Sequence, residues 1–117
     1  MNYLLLIYNN EAETMALGEA KLKKMVGEYT EFTKSIVQAG NFKAGDRLRP
    51  VSSASTVRVR NGKATITDGP FAETREQLGG YYLIEAKDLD EATAIAARIP
   101  GAVYGSIEVR PVWPPMG

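Results

Sequence analysis

Cysteine and histidine are both missing from the 117 residues. Without cysteine there can be no disulfide, no thiolate nucleophile and no Cys/His zinc site. Without histidine the commonest general base near neutral pH is gone as well. Chemistry must therefore come from carboxylates, tyrosines, lysines, arginines, backbone groups or a borrowed cofactor, and no particular cofactor is implied. An excess of either charge is also lacking, because 14 acidic residues balance 14 basic ones. That balance offers no electrostatic reason to expect binding to nucleic acid or to an anionic membrane. The basic cluster Lys21-Leu22-Lys23-Lys24 reads as the solvated side of a helix. Nor is there a long apolar run. The stretch "YLLLIY" (residues 3–8) is too short to span a bilayer and has neither the basic leader nor the cleavage site of a signal peptide. A cytoplasmic location is expected.

What the chain does have is a normal share of core-forming residues, 44% apolar against 24% charged. Its length suits a single domain over residues 1–117. Residues Tyr3 to Tyr8 are apolar at every position, as in a strand covered on both faces. Asn9-Asn10 end it and an acidic loop is expected to follow. From about Met15 to Ala39 the spacing becomes helical, with Leu22, Met25, Val26, Tyr29, Phe32 (or Thr33), Ile36 and Val37 on one stripe and Gly40 as the stop. A strand is predicted between about Lys43 and Pro50. Val57 and Val59 then alternate with Arg58 and Arg60, Asn61-Gly62 supplies a two-residue turn, and Ala64 to Thr67 return. After the Asp68-Gly69-Pro70 corner, "LGGYYLIEA" reads as another two-faced strand, with Gly79-Gly80 as a bulge or close backbone approach. Asp88 and Glu91 form a capping-box pattern at the start of a second helix, whose buried stripe is Leu89, Ala92, Ile95, Ala96 and Ile99. Pro100-Gly101 stops it, and Ser106 to Arg110 is the last strand.

The order strand, helix, strand, hairpin, strand, helix, strand predicts an α+β fold. It is the ferredoxin-like βαββαβ plan with an extra hairpin, both helices lying on one face of an antiparallel sheet. Two strands apolar on both faces then leave the second sheet face wanting cover. A homodimer or an enclosed apolar pocket for a small organic ligand is expected there.

With these elements placed, "TDGPFAETREQLGGYYLIEAKDLDEA" resembles the signature of the DGPF proteins, a branch of the YciI-like (YCII-related) family. "MNYLLLIY" resembles the family's first strand, "VRVRNGKATITDGPFAE" its hairpin and corner, and "GSIEVRPV" its final strand. The resemblance implies a dimeric α+β barrel of ferredoxin-like subunits with a pocket. It also implies an association with sigma-factor signalling, which suggests regulation without naming a reaction. The YciI branch is thought to use a His–Asp pair, which cannot be carried over to a chain without histidine.

Candidate site residues follow from the residues themselves. Asp68 sits at a rigid corner. It either accepts hydrogen bonds from the backbone N–H groups just after it or is aimed into a pocket as a general base or ligand acceptor. Glu73 is its possible carboxylate partner or a turn residue paired with Arg75. Asp46 is the second catalytic candidate, at a strand end where a pocket rim would lie. Arg47 or Arg75 could hold an anionic group in a bidentate grip, or simply pair with a neighbouring acid. Pro70 and Phe71 belong to the corner, and Tyr8, Tyr81 and Tyr82 to the central strands. At least one of these tyrosines is expected on the open side, where it is either within reach of a ligand or a core or dimer-interface aromatic that needs none. A hard-cation site on Asp46, Asp68 and Glu73 lacks a recognisable ligand spacing, so no metal is expected. Two function classes therefore stand: a small acid/base enzyme, and a non-catalytic dimer that binds a ligand or a regulatory protein.

Overall fold

The computed structural model describes residues 1–116. Six strands and three helices follow one another as β1 (Asn2–Asn9), α1 (Glu11–Met15), α2 (Glu19–Gln38), β2 (Phe42–Arg47), β3 (Ser55–Arg60), β4 (Lys63–Asp68), β5 (Gln77–Glu85), α3 (Leu89–Ala97) and β6 (Ser106–Pro111). Strands β2-β5-β1-β6 form an antiparallel sheet in that order, the arrangement of the ferredoxin-like plan, while β3 and β4 form a separate two-stranded ribbon.

Alternation decides which side chains meet the helices. Tyr3, Leu5 and Ile7 of β1 and Tyr82 and Ile84 of β5 are buried against Phe32 and Ile36 of α2 and Ala92, Ile95 and Ala96 of α3. Their neighbours Leu4, Leu6, Tyr8, Tyr81 and Leu83 leave the opposite face, which no helix covers, and are only half-buried. Leu5, Ile36, Ile84 and Ile99 are the large side chains most completely withdrawn from water. Burying each fully is worth about 1.5–3 kcal/mol.

Local signals behave largely as their chemistry requires. Asn61 and Gly62 both take positive φ, 53° and 75°, the pair needed by the hairpin turn that matches strand twist. Helix α2 ends with Gly40 at φ 82°, its N–H reaching Val37 O while Asn41 N–H reaches Ile36 O. This double closure satisfies carbonyls that the helix leaves open. Asp88 accepts from Glu91 N–H at 2.9 Å, and Glu91 reaches back to Lys87 N–H at 3.3 Å.

Four expectations change. The acidic stretch after β1 is the short helix α1, capped by Asn10 Oδ1 on Glu13 N–H, and Gly18 at φ 90° separates it from α2. The long helix therefore starts at Glu19 and not near Met15. Strand β2 begins at Phe42 and ends at Arg47, short of Pro50, and a 3-10 turn at Val51–Ser53 follows. Leu89, placed by periodicity on the buried stripe of α3, is 52% exposed as the first residue of the helix.

Candidate functional site

The apolar stripe of α2 is wider than the core requires. Phe32 and Ile36 are buried, yet Val26 and Val37 on the same stripe stand exposed. They form one wall of a groove of about 1300 Å³ that runs between α2 and the β2–β5 edge. Leu22, Met25, Val26, Val37 and Phe42 make its lining mostly apolar, and Tyr29, Tyr82 and Arg47 add polar ends. Tyr82 is locked in place. Its hydroxyl is 2.7 Å from Thr33 Oγ1, and its ring meets Phe32 and Phe42 edge-on at 5.2 and 6.3 Å between centroids. Gly45 is the reason the ring fits, since a Cβ there would lie 2.8 Å from Tyr82 Cδ1.

Tyr29 donates nothing to a carboxylate; its hydroxyl accepts from Gly101 N–H at 3.2 Å. Burial, the main cause, holds its pKa above the ordinary tyrosine value. Arg47 makes no hydrogen bond or salt bridge among the described residues. It is a free guanidinium at the groove, near enough to Tyr29 to favour the phenolate slightly against that burial.

Asp46 and Tyr81 are opposite each other across β2 and β5, and the phenol donates to Asp46 Oδ2 at 2.6 Å. Both line the groove's rim. The hydrogen bond to the carboxylate raises the Tyr81 pKa, with the adjacent negative charge acting in the same direction. Tyr81 therefore stays a donor at neutral pH. It orients the carboxylate and leaves Oδ1 for another partner. Phe42 pairs with Ile84 but Ala44 with Leu83, so an extra residue, Lys43, sets this register, and β5 is irregular against β1 as well. Ile7 pairs with Gly80 but Tyr8 with Leu78, so Gly79 is an inserted bulge residue. Gly80 allows β2 to approach, since a Cβ there would lie 2.9 Å from Asp46 O. The glycine pair is thus both a bulge and a close backbone approach.

The corner is built differently from the sequence expectation. Gly69, at φ 95°, donates its N–H to Ala54 O at 2.7 Å, and its carbonyl accepts from Thr56 Oγ1 at 2.8 Å. These backbone bonds tie the corner to the root of the ribbon. The Asp68 carboxylate takes no part in them and has no hydrogen-bond partner among the described residues. Pro70, Phe71, Glu73 and Arg75 are exposed, Phe71 at 78%, and no ion pair joins Glu73 to Arg75. None of Asp68, Pro70, Phe71, Glu73 and Arg75 lines the groove, whereas Asp46, Arg47 and Tyr81 do. Tyr8 lies on the uncovered sheet face, in register with Ser106.

A profile of the YCII-related domain matches residues 1–115. The chain belongs to the YCII-related family. A protein of Rhizobium meliloti (strain 1021), which bears the name uncharacterized protein, is 39% identical over 114 residues, covering 96% of this chain and 92% of its own length. In this YCII-related chain, the groove residues Tyr29, Leu22, Met25, Val26, Val37 and Phe42 were not legible as site residues. The one available signal was an apolar stripe on α2 broader than a single sheet face can bury.

Proposed function

We propose that the protein is a homodimer that binds a small, largely apolar organic anion in the groove between α2 and the β2–β5 edge. The single observation that carries this reading is the unpaired Arg47 at an otherwise apolar groove, with the Asp46–Tyr81 hydrogen bond on the other face of the same sheet edge, at the groove's rim. An apolar body fits against Leu22, Met25, Val26 and Val37, and the unpaired guanidinium of Arg47 suits a carboxylate or similar anionic group. Asp46, oriented by Tyr81, is then the carboxylate available to move a proton on the bound molecule. The Asp68 corner serves the fold through Gly69. The dimer reading rests on Leu4, Leu6, Leu83 and Tyr81, a half-buried apolar patch on the sheet face that no helix covers. A second copy laid on that face makes the α+β barrel of the family resemblance. The exposure of Asp46 in the protomer favours a second reading, in which the same groove binds its ligand without turning it over.

The test is a thermal-shift panel of short aliphatic and aryl carboxylates, each beside its uncharged primary amide, on wild type and Arg47→Gln. A carboxylate at about 100 times its dissociation constant should stabilise the wild type by about 2.7 kcal/mol. The matching amide should do far less, and Arg47→Gln should erase the difference. An equal response of wild type and Arg47→Gln to every acid would sink the anion site. Light scattering after gel filtration checks the dimer, and a monomer at micromolar concentration would refute it.

A further inference from the structure

A short row of residues crosses the helix-covered side of the sheet beneath the first half of α2. Ile7 of β1 pairs with Gly80 of β5, and Gly80 pairs with Arg47 of β2. Directly paired residues share a sheet face, and Ile7 belongs to the core packed under the helices. Arg47 therefore rises on the helix side, opposite to its neighbour Asp46. Gly80 places no side chain between Ile7 and Arg47, whose backbones stand two strand spacings, roughly 10 Å, apart. The middle of the row is an open slot in the groove floor.

Helix α2 stands off the sheet at this end. Phe32 and Ile36 in its second half are buried, whereas Leu22, Met25 and Tyr29 in its first half line the groove and are only half-buried. The Tyr29 hydroxyl is pinned beside the slot. Its oxygen accepts from Gly101 N–H at 3.2 Å. A Cβ on Gly101 would lie 2.5 Å from that oxygen and 3.4 Å from Ile7 Cγ2, so the hydroxyl and Ile7 are neighbours, at the end of the row away from Arg47. A phenol also has one hydrogen to donate. That of Tyr29 has no acceptor among the described residues, whereas the hydroxyls of Tyr82 and Thr33, farther along the groove, meet each other at 2.7 Å. Burial keeps the Tyr29 phenol protonated, and Arg47 is close enough to act on its charge. Glu19, Lys23 and Lys34 also border the groove, but as exposed residues.

We propose that Tyr29 is the second donor of the ligand site and that the anion it takes is a carboxylate. The carboxylate lies in the slot left by Gly80, one oxygen accepting from the Tyr29 hydroxyl and the other from the Arg47 guanidinium, with the apolar body along Leu22 and Met25. This rests on the groove reading above. The two side chains divide the recognition. Arg47 selects for negative charge, while Tyr29, its oxygen fixed by Gly101, selects for an acceptor oxygen at one point, charged or neutral. Tyr29 is thus a specificity-determining residue.

The experiment is isothermal titration calorimetry with hexanoate and 3-phenylpropionate, each beside its primary amide, on wild type, Tyr29→Phe and Arg47→Gln. Tyr29→Phe should bind the acids roughly tenfold more weakly, the scale of one hydrogen bond to a charged group. It should weaken the amides as well, whereas Arg47→Gln should weaken the acids alone. Equal affinity of wild type and Tyr29→Phe for the acids, with Arg47→Gln still impaired, would overturn the Tyr29 role and leave the anion groove intact. Should Tyr29→Phe melt too early to titrate, the wild type decides. Saturation with acid should red-shift a tyrosine band in the near-ultraviolet difference spectrum as the phenol donates to the carboxylate, and saturation without that band would overturn the proposal. Acids that fail to bind the wild type at all would remove this proposal and the groove reading together.

Discussion

Gly45→Ala tests whether the groove wall is as closely packed as its distances say. The new methyl would stand 2.8 Å from Tyr82 Cδ1, 3.2 Å from Tyr82 Cε1 and 3.1 Å from the Tyr81 carbonyl oxygen. Tyr82 cannot swing aside freely, because Phe32 and Phe42 hold its ring edge-on and Thr33 holds its hydroxyl. Overpacking of this kind costs about 1–3 kcal/mol, and a ring shift that breaks the Thr33 bond adds roughly 0.5–1.5 kcal/mol. We expect a loss of about 2 kcal/mol, or a melting temperature lower by roughly 8 °C for a domain of this size. The decisive arm is the double-mutant cycle with Tyr82→Leu, measured by urea denaturation. With the ring gone, only the carbonyl contact remains, and replacing a strand glycine by alanine is otherwise favourable by about 0.5–1 kcal/mol. Gly45→Ala should then be close to neutral, giving a coupling of about 2 kcal/mol between the two sites. A cost below about 0.5 kcal/mol in the wild-type background, or an equal cost in both, would refute the reasoning.

Two further outcomes follow from the same geometry. The Tyr81 pKa is raised in the fold by the Asp46 carboxylate, so the folded protein keeps a proton that an unfolded tyrosine, near pH 10.0, has released. This contribution is fully present below pH 10.0 and is lost as pH rises through the folded value; alkaline denaturation of wild type should therefore be steeper above pH 10.0 than that of Tyr81→Phe, and near-ultraviolet titration should lose one late-ionising phenol in the mutant. Asp68→Asn should change stability by less than about 0.5 kcal/mol, whereas Gly69→Ala, at φ 95°, should cost about 1–2 kcal/mol; equal effects in a thermal melt would contradict a corner built on Gly69's backbone.

Much of the fold was readable because its determinants are local. The all-apolar run Tyr3–Tyr8, the Asn61-Gly62 turn, the Gly40 stop and the Asp88 cap each act over a few residues. The division of Glu11–Gln38 into two helices was not readable, since it depends on Gly18 taking positive φ between them. The site was legible in pieces. Asp46, Arg47 and Tyr81 were each candidates by residue type and position, but nothing in their spacing says that residues 46 and 81 face each other.

The sequence by itself determined the alternation of strands and helices, the family, and the absence of thiol and imidazole chemistry, because these depend on residue type and short-range order. Only the tertiary structure decided which carboxylate has a partner. The register of β2 against β5, shifted at Lys43 and closed up at Gly80, brings Asp46 to Tyr81, while Asp68 stays on an exposed corner. Register is a property of the paired strands, and a slip of one residue in either strand would have put the two side chains on opposite faces of the sheet.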